Sequence, residues 1–406
     1  MSSHCPSLIK RINQVATELW ADGNGWILVF VAAGWFLSIG SRLMYPALVP
    51  QLRAAYGMDL TTAGFLLTVL WFTYALGQFP GGILGDRIGE GRVLFLSTAV
   101  SMSTVVVVVF SPNLAGVFIA TALFGASNAL YGPIRFTILS DVYSKRDGTA
   151  IGLTIASGNA GNALLPFLAG TIAAIYTWRV GLGFVVPLFF LVALGLFRFV
   201  PSQTAETERS VGLSSITSFA GLVSDLRTGP ILLLLAIQIL AAFVWTGFTS
   251  FYPAYLVTAK GISPKLASLL FGGFFVMGLI ITPLAGACLD QFGIKRTLPV
   301  VFGIMSLGML LFPLVESFEA IVGVTLLTSS LLGYGALTLP YITELIPDHI
   351  KGFGVGGIRT VYMLTSAPAP ALVGFLADNS LFDVAFFLFA VITVVALALV
   401  FFIPQD

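Results

Sequence analysis

The 406-residue sequence is short of charge. Only 9% of its residues are Asp, Glu, Lys or Arg, whereas soluble domains carry about a quarter. So few polar groups cannot cover a water-facing surface. With a hydrophobic share of 57% and a mean hydropathy of +1.00, the chain is excluded from the soluble enzymes and from disordered proteins alike. An excess of either sign of charge is also missing. Lys and Arg number 19 and Asp and Glu 18, so no nucleic-acid partner is implied. Cysteine is nearly absent: Cys5 and Cys288 stand far apart with no CxxC, which leaves neither a disulfide framework nor a thiolate metal site. His4 and His349 belong to no metal-ligating constellation. No Walker A loop is present. Gly352-Phe-Gly354-Val-Gly356-Gly357 matches G-x-G-x-x-G but follows a polar loop and opens an apolar run, not the βαβ unit a dinucleotide needs. No cofactor is expected, and no buried Ser/His/Asp, di-acid or His cluster suggests an enzyme.

What the sequence has is long apolar runs. A helix crosses about 30 Å of hydrocarbon with about 20 residues, and twelve such stretches fall at 26–50, 61–82, 93–111, 115–139, 148–175, 181–200, 230–257, 266–288, 297–315, 320–343, 352–377 and 384–403. They are too long, and alternate too little, for barrel strands. The fold class is an all-α polytopic membrane protein with the lipid bilayer as its solvent. Residues 1–25 hold Lys10, Arg11, Glu18 and Asp22 before a full-length first run, so they read as a cytoplasmic segment and not a cleaved signal. With the N-terminus inside, 12 loop Lys and Arg lie on the cytoplasmic side and 4 (Arg53, Arg179, Lys260, Lys265) opposite, as the positive-inside rule expects for two cytoplasmic termini. Short loops without an N-x-[ST] acceptor fit a cell membrane.

The chain repeats itself. Gly82-Ile-Leu-Gly-Asp86-Arg87-Ile-Gly89-Glu-Gly-Arg92 follows span two, and Gly286-Ala-Cys-Leu-Asp290-Gln-Phe-Gly293-Ile-Lys-Arg296 follows span eight, at an offset of 204 residues. The same offset carries Gly148 onto Gly352, Gly152 onto Gly356, Pro166 onto Pro370 and Gly170 onto Gly374. The longest polar segment, 201–229, joins the two copies, giving six-helix bundles at 26–200 and 230–406. Parallel repeats of this kind place a site between them near the bilayer midplane.

The Gly82–Gly89 run resembles the loop signature G-x-L-a-D-[RK]-x-G-[RK]-[RK] of the major facilitator superfamily, departing from it at Glu90 and Gly91. Pro340-Tyr341-Ile-Thr-Glu344-Leu-Ile-Pro347 is similar to the P-x-Y/E-x-x-P signature of sugar-porter relatives. The resemblance covers almost the whole chain. It implies a secondary transporter working by alternating access, with spans one, two, four, five, seven, eight, ten and eleven around the cavity. Thr121 stands where many antiporters of the superfamily carry an arginine. In the motif, the glycines let helices approach, and Asp86 suits the positive N-terminus of a neighbouring helix. Gly82, Asp86, Arg87, Gly89 and Arg92, with Gly286, Asp290 and Gly293, are therefore expected to form a conformational latch. The plainer alternative is a basic, topology-setting loop with a capping Asp.

Three charges lie inside spans: Arg42, Arg135 and Arg359, with no Asp or Glu well inside any span. Intramembrane charge is costly and marks function, and buried charge needs a partner, which an anionic substrate would supply. Each arginine shares a helical stripe with polar residues: Ser38, Arg42 and Tyr45; Asn128, Tyr131 and Arg135; Arg359, Tyr362 and Ser366. Further polar faces hold Trp71, Tyr74 and Gln78; Gln238, Trp245, Thr249 and Tyr252; and Tyr334, Thr338 and Tyr341. Expected substrate contacts are Arg42, Tyr45, Asn128, Tyr131, Arg135, Gln238, Tyr334, Arg359 and Tyr362. At about 1.5 Å per residue, Arg42 lies ~24 Å from the inner end of its span and the other two ~6–11 Å from theirs. Arg42 is thus the first candidate for a substrate anion, with snorkelling to the outer interface as the alternative. Arg135 and Arg359 either join it or form a cytoplasmic gate with Asp141, Glu344 or Asp86. The expectation is a monomeric transporter of a small organic or inorganic anion, with a co-transported proton or a counter-anion left open. The alternatives are an exporter of drugs or neutral solutes, and a membrane sensor that does not transport.

Overall fold

In the computed structural model, residues 19–20, 24–144, 146–202, 229–346 and 351–403 are described, apart from the side chains of residues 79, 80, 82, 83, 86 and 351–353. Among the described residues, twelve helices are long and apolar enough to cross a membrane. They are α1 (Gly25–Tyr56), α2 (Leu60–Ile88), α3 (Glu90–Phe110), α4 (Leu114–Val142), α5 (Asp147–Ile175) and α6 (Trp178–Phe199), then α7 (Gly229–Thr258), α8 (Pro264–Phe292), α9 (Ile294–Leu314), α10 (Phe318–Leu345), α11 (Lys351–Ser366 and Ala369–Asp378) and α12 (Phe382–Val400). Several run further than their apolar stretches. Pro50 does not end α1, which continues to a left-handed Gly57 at φ 60°, whose N–H donates to the Arg53 carbonyl. Hydropathy marks where lipid ends, and the caps mark where the helix ends. Side-chain oxygens cap the starts of α2, α4 and α8: Asp59, Asn113 and Ser263 accept from the N–H of Thr62, Gly116 and Leu266.

The helices form two six-helix bundles with matching internal packing. α1 lies on α5, α2 on α4 and α3 on α6; in the second bundle α7 lies on α11, α8 on α10 and α9 on α12. Packed aromatic rings fill the second bundle, with Phe248 and Tyr252 stacked 4.9 Å apart and Phe312 and Phe386 tilted 5.4 Å apart. The motif copies occupy equivalent one-residue turns. Gly89 joins α2 to α3 at φ 92°, and Gly293 joins α8 to α9 at φ 74°. A side chain at that φ is strained. At these two positions the glycine therefore serves backbone conformation, where close helix approach was expected. A Cβ at Gly286 would meet nothing, while the side-chain surroundings of Gly82 and Asp86 are not described.

Among the described residues, the bundles pack closely toward one end. We call the face carrying Gly25 and Val400 the near face and its opposite the far face. On the far side α2 packs on α11 and α5 on α8. There a Cβ on Gly64 would collide with the Pro370 carbonyl, one on Gly374 with the Leu60 carbonyl, and one on Gly170 with Ser268. Asp378, at the far end of α11, closes the first seam. Its Oδ1 accepts from the Leu60 N–H (2.9 Å), and its Oδ2 accepts from the Thr61 N–H (2.6 Å) and hydroxyl. The carboxylate thus sits on the positive N-terminus of a helix in the other bundle. The 204-residue offset maps Asp378 onto Ala174, so the α5–α8 seam has no equivalent. On the near side, a Cβ at Gly148, Gly152 or Gly356 would meet nothing. The repeated glycines at one offset therefore divide into a packed far set and an open near set.

Two outcomes follow from this packing. Gly293→Ala should lower stability by about 1–3 kcal/mol, read as a fall in the unfolding midpoint of the purified protein. Gly64→Leu should hold the far seam apart, so that a cysteine introduced at the buried Ser366, with Cys5 and Cys288 replaced by serine, becomes labelled by an impermeant thiol reagent from the far side. Unchanged labelling would show that the seam does not depend on that close approach.

Candidate functional site

Three arginines converge around Tyr74, on α2. Arg42, on α1, is 3% exposed; its Nε donates to the Ser38 carbonyl one turn back (3.3 Å). Its guanidinium carbon lies 3.8 Å from the centre of the Tyr74 ring and 5.6 Å from that of Trp71. Arg135, on α4, donates from Nη1 to the Gly132 carbonyl (2.6 Å) and lies 3.6 Å from the Trp35 ring centre and 3.9 Å from that of Phe136. Arg359 enters from the second bundle on α11, and the Tyr74 hydroxyl faces both it and Arg42. The three cations are close enough to repel one another. Ring faces soften that repulsion through their negative quadrupoles, but rings carry no charge. Among the described side chains, no carboxylate forms an ion pair with any of the three. The Nε atoms of Arg135 and Arg359 are buried and have no hydrogen-bond partner.

Local sequence sets this geometry. Pro133 interrupts α4, and because proline has no N–H the Ala129 carbonyl one turn back is left free. Gln78, on α2, takes it with its Nε2 (3.3 Å). This ties α2 to α4 one turn from Tyr74.

Beside these charges is a cavity of about 170 Å³, lined by Trp71 and Tyr74 of α2, Trp245 and Thr246 of α7, Tyr334 of α10, and Tyr362, Met363 and Ser366 of α11, with Ala242. Trp71 spans the bundles: its Nε1 donates to the Ser250 hydroxyl (3.2 Å), and its ring meets Trp245 edge-on at 5.5 Å. Gln238 sits behind the wall, accepting from the Thr338 hydroxyl (2.6 Å) and adjoining Tyr362.

Of the expected contacts, the structure brings together Arg42, Arg135 and Arg359, places Tyr334 and Tyr362 in the wall, and sets Gln238 just behind it. Helix arithmetic sets Arg42 deeper than the other two, yet its side chain shares Tyr74 with Arg359. Three residues go elsewhere. Tyr45 is buried against Phe124, ring centres 5.5 Å apart. Asn128 donates to the Ser101 hydroxyl (3.0 Å) and the Phe124 carbonyl (3.1 Å), clamping α3 to α4. The Tyr131 hydroxyl donates to the Val31 carbonyl (2.9 Å), tying α4 to α1. These are struts between helices of one bundle. Trp71, Tyr74 and Trp245 lie on polar faces visible in the sequence, but nothing there ranked them above their neighbours. Trp35 was missed; extending the stripe of Ser38 and Arg42 back by one turn reaches it. On the near face Arg87, Arg92, Asp290 and Glu344 are exposed and Asp141 is half-buried.

The sequence matches the family model of the Major Facilitator Superfamily over residues 30–338 and 234–406, and the chain belongs to that superfamily. It is a membrane transporter of small solutes, not an enzyme. It is similar to the cis,cis-muconate transport protein of Acinetobacter baylyi, 26% identical with 89% of this chain and 90% of that protein covered. It is also similar to a probable galactarate/D-glucarate transporter of Escherichia coli, 22% identical with 92% and 91% covered. The fold matches a bacterial homologue of the human lysosomal transporter Spinster in an inward-facing, unoccupied conformation, with a TM-score of 0.79, 15% identity, and 93% of this chain and 96% of that one covered.

If Asn128 is a strut, Asn128→Ala should lower stability by about 1–3 kcal/mol and leave the transport rate per folded molecule unchanged. Denaturation in detergent and flux normalised to folded protein separate the two effects.

Proposed function

We propose that this transporter moves a small organic or inorganic anion, held between the bundles by Arg42, Arg135 and Arg359. The observation that carries the reading is their convergence around Tyr74 with no described carboxylate paired to them. Burying charge without a partner is strongly unfavourable. A carboxylate or phosphate accepts from guanidinium groups in a bidentate manner and would satisfy the unpartnered Nε atoms of Arg135 and Arg359. Arg42 and Arg135 belong to one bundle and Arg359 to the other, so a bound anion bridges the two moving parts. Two relatives named for transport of organic acids support the same reading.

The near face is cytoplasmic in this reading, with both termini on it, because the loop Lys and Arg concentrate there; the protein sits in the cell membrane and works as a monomer. Residues 201–229, of which 203–228 lie outside the described residues, link the bundles. The packed far seams and open near face then make this the inward-facing state. The exposed Arg87, Arg92, Asp290 and Glu344 belong to a near-face latch that is released in this state.

A thermal-shift screen of the purified protein with carboxylates, phosphates, sugars and lipophilic cations, repeated on Arg42→Ala, tests the reading. A ligand at about 100 times its Kd stabilises the folded state by about 2.7 kcal/mol. Small anions should raise the Tm of the wild type and lose most of that effect in Arg42→Ala. Stabilisation by neutral or cationic lipophiles alone, equal in both proteins, would replace this reading with that of an exporter.

A further inference from the structure

Resting on the anion reading above, we infer that the preferred substrate is a flat, unsaturated or aromatic carboxylic acid with its charge at one end, and not a polyhydroxylated sugar acid or an inorganic ion.

The site has two unlike ends. Tyr362, Met363 and Ser366 follow Arg359 along α11 by three, four and seven residues, which puts them about 4–11 Å nearer the far face. Arg42 lies beside the chamber against Tyr74. The positive charge therefore flanks the chamber at its near end and side, and no cation stands among the residues lining it. A carboxylate on the arginines points the rest of its molecule into the chamber.

Five aromatic residues make most of that chamber: Trp71, Tyr74, Trp245, Tyr334 and Tyr362. Trp71 meets Trp245 at 77° and Tyr74 at 88°, so ring edges and faces both turn on the space. Flat π-systems pack against such walls in stacked and edge-on arrangements. Polar capacity is limited. The Trp71 N–H is taken by Ser250, the Ser366 hydroxyl donates to the Met363 carbonyl, and Gln238 is held by Thr338, which leaves mainly the hydroxyls of Thr246 and three tyrosines. A sugar acid would bring more hydroxyls than these few can pair, and each one left unpaired when buried costs about 1–3 kcal/mol. An inorganic ion would leave the chamber unused. The volume, about 170 Å³, is below the ~300–1,000 Å³ of sites for drug-sized ligands and suits a single ring or a short conjugated chain.

The test is the melting temperature of the full-length protein in detergent, titrated with benzoate, cyclohexanecarboxylate (similar in size but not flat), terephthalate (a second carboxylate at the far end), glucarate and inorganic phosphate. Benzoate should stabilise at the lowest concentration, followed by cyclohexanecarboxylate, with the other three weaker. Trp245→Leu should reduce affinity for benzoate about three- to tenfold more than affinity for cyclohexanecarboxylate, whereas Trp245→Phe, which keeps a ring in the wall, should retain most of the difference. If glucarate or phosphate binds best, this inference fails while the anion reading stands. If terephthalate equals benzoate, the one-ended charge is wrong. If Trp245→Leu lowers both ring acids alike, the aromatic wall does not select. If no anion stabilises and a neutral lipophile does, both readings fail together.

Discussion

The structure is organised around positive charge held in a poor dielectric. Three guanidinium groups sit within electrostatic range of one another inside a protein that is itself inside lipid. Mutual repulsion grows as the local dielectric falls, and aromatic faces relieve only part of it. Other features serve to hold that layer in place. Trp35, Tyr74 and Phe136 supply the faces; Gln78 uses the carbonyl freed by Pro133 to fix α2 against α4; Tyr131 and Asn128 brace α4 against α1 and α3. Without this bracing the arginines could swing toward water. With it, the anion of the proposed function has more to gain at the site than in solution.

In the proposed function the same layer links binding to motion. Arg42 and Arg135 move with the first bundle and Arg359 with the second, so whatever neutralises them also joins the bundles. While the site is empty, repulsion across the boundary opposes their approach and the far-side contacts carry the closure. A ligand can shift a conformational equilibrium only by binding its two states unequally. Charge divided between two rigid bodies provides that inequality, because closing the bundles around an anion shortens its distance to the cations on both sides.

Much of the architecture was legible in the sequence, and the reasons are physical. Lipid demands long apolar helices, so twelve runs could be counted. Internal duplication leaves one offset, so Gly89 and Gly293 could be paired. The helix ends were less legible, because capping by Asp59 or Gly57 and not hydropathy decides them. The arginines stood out because charge is rare inside a span, but their meeting did not, since it depends on how α1, α4 and α11 cross. Tyr45, Asn128 and Tyr131 show the limit of reading one helix at a time. A polar stripe marks which side of a helix is polar, but a hydroxyl or amide facing a neighbouring backbone looks the same in sequence as one facing a cavity. Trp71 and Trp245 illustrate the converse: a cavity wall made of aromatic residues is indistinguishable in sequence from ordinary core.

The two far-side seams are alike in backbone but unequal in chemistry. The α2–α11 seam is clamped by the Asp378 carboxylate on the first N–H groups of α2, while the corresponding position on α5 is Ala174, and α8 is capped by its own Ser263. One seam must exchange charge-assisted hydrogen bonds for water when it parts, and the other separates close packing such as Gly170 on Ser268 and Gly272 on Phe167. A duplicated scaffold has thus become unequal across its own symmetry: parting at the α2–α11 seam meets a resistance from Asp378 that parting at the α5–α8 seam does not.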